Sequence, residues 1–450
     1  MLRDLRKTRN PRLTLTYARR APLSVAGRKR CSGQLTPSIV QLMRVIGLIG
    51  VIGLIGIAVG CASKRPGNAV PEDLIGAAEM PGFEDARFNW DDDAPRLALD
   101  VEQSYAQERV ALGLPPDAVE FPRAHYLVIS GGGQDGAFGA GLLCGWSETG
   151  IRPEFKVVTG VSTGALIAPF AFVGPEMDES MKAVYTTISS KDIMRWHRLI
   201  TMLSSDAAAD DRPLEKLIAR HVDEAVLDRI AAEHLKGRRL FIGTTNIDAQ
   251  RLVIWDMGRI ALSDNPGKLE LFRKVLLASA TIPGAFPPQY FEVETPDGRQ
   301  WAEMHVDGSV VAQFFFYPVK LHITDVRKEA HVKRETSVYV LRNSRYLPEP
   351  QQVHPRIAAL AMRSMSTMLK SQSYLISVMI YDMCMRDGLD FYLVSIPEDV
   401  KASAHSMFDK EYMNALFEVG RKMGSGTIPW RRSPYDPQAT TRPVLELPQN

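Results

Sequence analysis

The run Gly160-Val161-Ser162-Thr163-Gly164 joins a short β-rich stretch, Phe155 to Val158, to an apolar helical stretch, Ala165 to Phe172. A strand that turns sharply into a helix restricts the chain to an α/β architecture, because the helix must return across one face of a sheet. The same turn leaves the Ser162 hydroxyl standing at a helix N-terminus, which is the geometry of a nucleophile elbow. In isolation G-x-S-x-G also occurs in ordinary loops, so the flanking strand and helix carry the weight.

A second strand-to-helix junction lies upstream. His125 to Ile129 reads as a strand, followed by Ser130-Gly131-Gly132-Gly133-Gln134-Asp135-Gly136 and the apolar stretch Ala137 to Trp146. Glycines let the backbone turn tightly and present N–H groups, and the helix start adds positive potential, so the loop suits a phosphate or an oxyanion. Gly131-x-Gly133-x-x-Gly136 also satisfies the dinucleotide fingerprint. A dinucleotide site, however, wants an acidic residue at the end of the second strand. Here that strand ends in the serine turn, and Glu154 lies before it.

A base for the serine is sought in Glu303-Met304-His305-Val306-Asp307-Gly308-Ser309. Asp307 is one candidate. His305 is the other, as the base of a Ser–His–Asp esterase, although a lone histidine there reads more readily as a structural hydrogen-bonder. Asp-Gly recurs at Asp297-Gly298 and Asp387-Gly388, so the dipeptide has little specificity alone.

The wider pattern predicts an α/β domain. Further strands are expected at Leu240 to Thr245, Leu252 to Trp255, Val338 to Arg342 and Phe391 to Val394. Arg356 to Met385 reads as a Met-rich helical pair whose Met stripe is expected in the core rather than on a lipid-contact surface. Residues 61–117, rich in Pro, Gly and acidic residues, read as a linker and N-terminal packing segment. The main domain is expected over 118–428, with a Pro-rich tail at 429–450. Phe314 to Tyr317 suit either an acyl pocket or a buried element.

Charge and cysteine usage exclude several classes. The formal charge of +2 over 450 residues gives no field for gathering nucleic acid. The four cysteines match no metal spacing, and no histidine pair has a helical metal-binding spacing, so neither metal nor cofactor is expected.

Residues 1–60 read as an address: a basic extension, then the charge-free run Val45 to Gly60, which is short for a bilayer core of about 30 Å but suits a signal peptide. Met43-Arg44 directly precedes that run and is a candidate true start. The run ends Ala58-Val59-Gly60-Cys61, which resembles a bacterial lipobox, with Cys61 as the lipidated anchor at the cell envelope.

Taken in order, the glycine loop, the serine turn and Asp307-Gly308 resemble the patatin-like phospholipases. The segments Gly237 to Asn246, Val253 to Gly258 and Ala278 to Pro288 strengthen the resemblance, which covers about Ala124 to Pro318 well and the later region loosely. It implies a three-layer α/β fold, a central mostly parallel sheet flanked by helices. It also implies a lipid acyl-ester hydrolase of the phospholipase A or lysophospholipase kind, acting on phospholipid or another acyl-ester lipid at a membrane surface, with no nucleic-acid partner.

By matching position, Ser162 is the nucleophile, Asp307 its base, and the N–H groups of Gly131, Gly132 and Gly133 the oxyanion hole. Gly136, Gly160, Gly164 and Gly308 complete the motifs. The chain departs from the family at Asp135, where a basic residue is usual, and at Ser309. Two other classes stand beside this one: a Ser–His–Asp esterase using His305, and a non-catalytic lipid-binding envelope lipoprotein. A nucleotide-binding protein built on the glycine loop is a third.

Overall fold

The computed structural model describes residues 65–90, 92–196, 207–402 and 404–436. The basic extension, the apolar run, Cys61 and the end of the tail lie outside the described residues.

Among the described residues a 3-10 helical segment, Glu72–Ala77, precedes β1 (Arg87–Asn89) and α1 (Ala94–Ala111). The chain continues through β2 (Ala124–Ile129), α2 (Gly136–Glu148), β3 (Val157–Val161) and α3 (Thr163–Val173). Next come α4 (Asp178–Thr186), α5 (Arg212–His221), α6 (Glu224–Leu235), β4 (Arg239–Asn246), β5 (Arg251–Asp256), α7 (Met257–Leu262) and α8 (Lys268–Ser279). The last elements are β6 (Gln289–Glu294), β7 (Gln300–Asp307), α9 (Ile323–Glu329), β8 (Thr336–Arg345), α10 (Ile357–Asp387), β9 (Asp390–Ile396) and α11 (Lys410–Gly424).

One nine-stranded sheet runs in the order β1-β5-β4-β3-β2-β8-β9, with β7 joining β4 and β6 joining β7. The strands β9, β8, β2, β3 and β4 are mutually parallel, and β5, β1, β7 and β6 are added antiparallel. Strands buried on both faces read as near-continuous apolar runs, as the central ones do here. Alternate residues feed two cores. Leu127, Ile129, Tyr339, Leu341 and Val394 face one, while Tyr126, Val128, Val338, Val340 and Leu393 face the other. The sheet is thus covered by helices on both faces, the three-layer arrangement expected.

Three local expectations change. Residues 61–117 were expected as a linker and N-terminal packing segment; the described part does pack on the main domain, and more integrally than a linker, since β1 pairs with β5 and α1 buries Leu97, Asp100, Ser104 and Tyr105. The tail expected from 429 begins by bridging Leu393 to Arg431 and burying Trp430. Arg356 to Met385, expected as two helices, forms the single 31-residue α10. No Pro or Gly interrupts it until Gly388, which caps it in the left-handed conformation (φ 65°).

Candidate active site

The sheet brings Ser162 and Asp307 together. β3 ends its pairing on β4 at Val161↔Gly243, and β7 takes up the same edge of β4 one residue later at Asp307↔Thr244. Two strands, one parallel to β4 and one antiparallel, therefore converge on a single point, and the residues at their ends meet there. The Asp307 carboxylate lies beside the Ser162 side chain, near enough for the hydroxyl to favour its ionised form. Its own N–H donates to the Thr281 carbonyl (2.8 Å), and its Oδ1 accepts from the Ser309 N–H (2.8 Å).

Ser162 is the N-cap of α3 and has φ 55°, ψ −124°. A positive φ on a residue with a Cβ costs about 1–3 kcal/mol and persists only where surrounding structure enforces it. Part of that enforcement is visible. The Ser162 N–H donates to Ser279 Oγ (3.0 Å), which in turn donates to the Gly243 carbonyl (2.7 Å), tying the elbow to β4. The helix following the turn is buried on every side, with Ala165, Ile167, Phe170 and Phe172 in the core.

Burial pushes the Asp307 carboxyl up to about 6, against hydrogen bonds from Ser162 and Ser309 that hold it down. A carboxylate so placed is a stronger proton acceptor than a solvated one and is still ionised at neutral pH.

The glycine loop lies against the serine: a Cβ on Gly131 would stand 3.2 Å from Ser162 Cβ. Its floor is locked by Asn343, whose N–H donates to Ser130 Oγ (2.8 Å) and whose side-chain nitrogen donates to the Ser130 carbonyl (2.9 Å). Gly132 takes φ 157°, and a Cβ there would meet the Asn343 carbonyl oxygen at 2.3 Å, so no larger residue fits.

The expected three-donor oxyanion hole is narrowed. Gly131 donates its N–H to the Gln313 carbonyl (2.8 Å) and is not free to serve. Among the described residues, the N–H groups of Gly132 and Gly133 find no acceptor within the protein. The motif glycines Gly136, Gly160, Gly164 and Gly308 all stand where a Cβ would come within 2.5 Å of a neighbouring atom, which is how the elbow, the loop and the end of β7 pack so closely.

His305 does not join the serine. It is fully buried, and its ring faces Thr244 Oγ1 through Nδ1 (2.9 Å) and Glu303 Oε2 through Nε2 (3.1 Å), with Phe291 packed edge-on at 4.7 Å. Both nitrogens are occupied, and burial holds the ring below its ordinary pKa.

Asp135 points to α11, where Tyr412 donates to it (2.8 Å), and burial pushes its carboxyl up to about 6. Phe314, Phe315, Phe316 and Tyr317 are core residues, with Trp90 edge-on to Phe315 and Tyr126 edge-on to Phe316. Sequence reasoning missed Ser279, Gln313 and Asn343. Ser279 lies inside the Ala278 to Pro288 segment already singled out, but nothing local marks Gln313 or Asn343.

Residues 127–319 match the family model described as patatin-like phospholipase. A search of curated proteins returned no match. Among solved structures, the chain is similar to VipD from Legionella pneumophila, at 12% identity and TM-score 0.29, covering 67% of this chain and 66% of that one. It is also similar to the type III effector ExoU, known from Pseudomonas aeruginosa (13%, TM-score 0.26, 68% and 53%), and to human GIVD cytosolic phospholipase A2 (11%, TM-score 0.28, 73% and 53%). The chain thus spans between about half and two thirds of the length of these structures.

Proposed function

We infer that this chain, in which residues 127–319 form a patatin-like phospholipase domain, hydrolyses acyl esters of phospholipids or lysophospholipids through an acyl-serine intermediate. The observation that carries the reading is the meeting of Ser162 and the buried Asp307 carboxylate where β3 and β7 converge on β4, beside a loop whose Gly132 and Gly133 N–H groups have no acceptor among the described residues.

Asp307 takes the Ser162 proton as Oγ attacks the ester carbonyl. The tetrahedral oxyanion is held by the Gly132 and Gly133 N–H groups and the positive end of α3. Collapse expels the lipid alcohol, which receives the proton from Asp307. Water then attacks the acyl-serine, gives its proton to Asp307, and the fatty acid leaves as Ser162 Oγ is reprotonated. No other group has to accept a proton, which fits the sealed position of His305.

The test is mass-spectrometric product analysis of mixed phospholipids and lysophospholipids. Ser162→Ala lowers fatty-acid release by at least about three orders of magnitude, and Asp307→Asn nearly as much, with unchanged circular dichroism. Wild-type release by Ser162→Ala would refute the reading.

The rate on a soluble ester falls as the pH drops through about 6, because protonated Asp307 cannot accept the serine proton. A rate independent of pH between 5 and 7 would contradict this role for Asp307.

The proposal extends to an envelope lipoprotein anchored at Cys61. Metabolic palmitate labelling of the chain tests that part: label is expected on wild type and lost in Cys61→Ser, and equal labelling of both removes the anchor from the account.

A further inference from the structure

The first half of α10 is amphipathic in the reverse sense. A helix on a folded domain normally turns its apolar stripe inward and its charges to water. Here Ile357, Ala361, Met365, Met368 and Leu375 recur at three-, four- and seven-residue spacings along one stripe, and all are exposed. Ile357, Met362 and Met368 are 90%, 63% and 71% exposed. The charged side is the one attached to the protein. Arg363 donates to the Glu349 carbonyl (2.6 Å), while Lys370 donates to the Arg345 carbonyl (2.5 Å) and pairs with Glu349 (3.1 Å).

Only from Ser373 onward does the helix bury apolar residues in the ordinary way, with Ile376, Ile380 and Met383 in the core. The Met stripe expected in the core is therefore largely outside it: Met362, Met365 and Met368 face outward, Met379 is half-buried, Met383 is buried and Met385 is exposed.

Two further facts decide what this face meets. Gln372 donates to the Val311 carbonyl (2.7 Å), so the exposed half of α10 emerges beside the loop that follows Asp307, where Val310 and Val311 are exposed as well. No acidic residue occurs between Glu349 and Asp382, whereas Arg356, Arg363 and Lys370 all lie in that interval, giving the element a positive excess. With Arg363 and Lys370 held to the protein, Arg356 stands exposed at the start of the helix beside the apolar arc, and an exposed apolar arc on an element of net positive charge suits a membrane interface that contains anionic lipid. Among the described residues no helix is long and apolar enough to cross a membrane.

We propose that residues 357–370 of α10, together with Val310 and Val311, form an interfacial docking face that sets Ser162 and its glycine loop against an anionic lipid surface. The inference rests on the acyl-lipid hydrolase reading for its purpose, since a lipid-aggregate substrate is what gives such a face a reason to adjoin the serine.

Hydrogen exchange decides the docking independently of catalysis. The full chain carrying Ser162→Ala, which leaves the lipid intact, is mixed with vesicles of phosphatidylcholine and phosphatidylglycerol. Amides of residues 357–370 are expected to slow by about tenfold, and Met365→Glu with Met368→Glu, both on the exposed stripe, to abolish the effect. In the otherwise wild-type chain that double variant lowers turnover of the same vesicles by about tenfold or more and leaves hydrolysis of a monomeric short-chain ester unchanged. Glutamate is a good helix former and the positions are exposed, so the fold is retained.

Absence of protection with vesicles, or unchanged vesicle turnover in the double variant, would overturn the proposal. So would slow exchange of these amides before vesicles are added, since another segment or a second copy would then already cover the helix. If wild type hydrolyses neither vesicles nor the monomeric ester, the hydrolase reading fails, while the exchange result still decides docking.

Discussion

Asp307 and His305 stand two residues apart on β7, yet only the aspartate reaches the serine. The difference is register: His305 pairs with Asn246 inside the sheet, whereas Asp307 is the last residue of the strand, at the point where β3 also ends. Both residues could be named from the sequence as possible bases. Choosing between them needed the resemblance or the register, because a two-residue spacing on a strand says nothing about which side chain lies at its end. His305→Gln, which keeps a donor and an acceptor for Thr244 and Glu303, is expected to lower stability by about 1–3 kcal/mol in chemical denaturation. Ester turnover per folded molecule should stay within about twofold of wild type, since Gln cannot replace an imidazole base. A loss of turnover as deep as that of Ser162→Ala, in protein shown to be folded, would restore the Ser–His–Asp alternative. The loop glycines were also legible, but not their division of labour. That Gly131 gives its N–H to Gln313, leaving Gly132 and Gly133, depends on a contact across 182 positions of chain that no local pattern announces.

The helices α2 and α11 cross with their backbones in close contact. Gly141 and Gly145 face the carbonyls of Phe417 and Arg421, and Gly420 and Gly424 face those of Phe138 and Leu142; a Cβ at any of the four would come within 2.1 Å of backbone. Because α2 begins at the glycine loop, this crossing helps fix where the loop's N–H groups point. Gly420→Ala is therefore expected to force the helices apart and cost about 1–3 kcal/mol, read as a lower denaturation midpoint with an unchanged slope. A neutral result would mean the helices are less closely apposed than described. The strands of the parallel core were legible because apolar runs bounded by turns mark buried strands, and their bounds moved by only a few residues. β1 and α1 were hidden because a three-residue strand in a Pro-, Gly- and acid-rich stretch carries no period to detect. α10 misled for the opposite reason: its apolar content predicted burial, and half of it is exposed.

Across the whole molecule, the segment before β2 is held to the far side of the sheet by a buried ion pair. Arg87 on β1 reaches Glu303 on β7 at 2.5 Å and also donates to the Ala78 carbonyl, and Glu303 accepts from His305. Burial alone would raise the Glu303 carboxyl, but the Arg87 guanidinium and His305 outweigh it and hold the group at about 2, below its ordinary 4.5. The folded value lies below the unfolded one, so the stabilisation is complete above pH 4.5 and is lost as the pH falls towards about 2. Arg87→Met leaves the carboxylate buried without its guanidinium and is expected to cost about 3–5 kcal/mol at neutral pH, with the gap to wild type narrowing on acidification. A gap that stays constant with pH would show that the pair is not the cause. The account as a whole turns on whether Asp307 activates Ser162. The most direct measurement is the intact mass of the full chain, followed over time in a fluorophosphonate probe. One adduct on the peptide containing Ser162, forming at a rate that drops by about two orders of magnitude or more in Asp307→Asn, is the predicted result. An unlabelled Ser162, or labelling equally fast in Asp307→Asn, would contradict it.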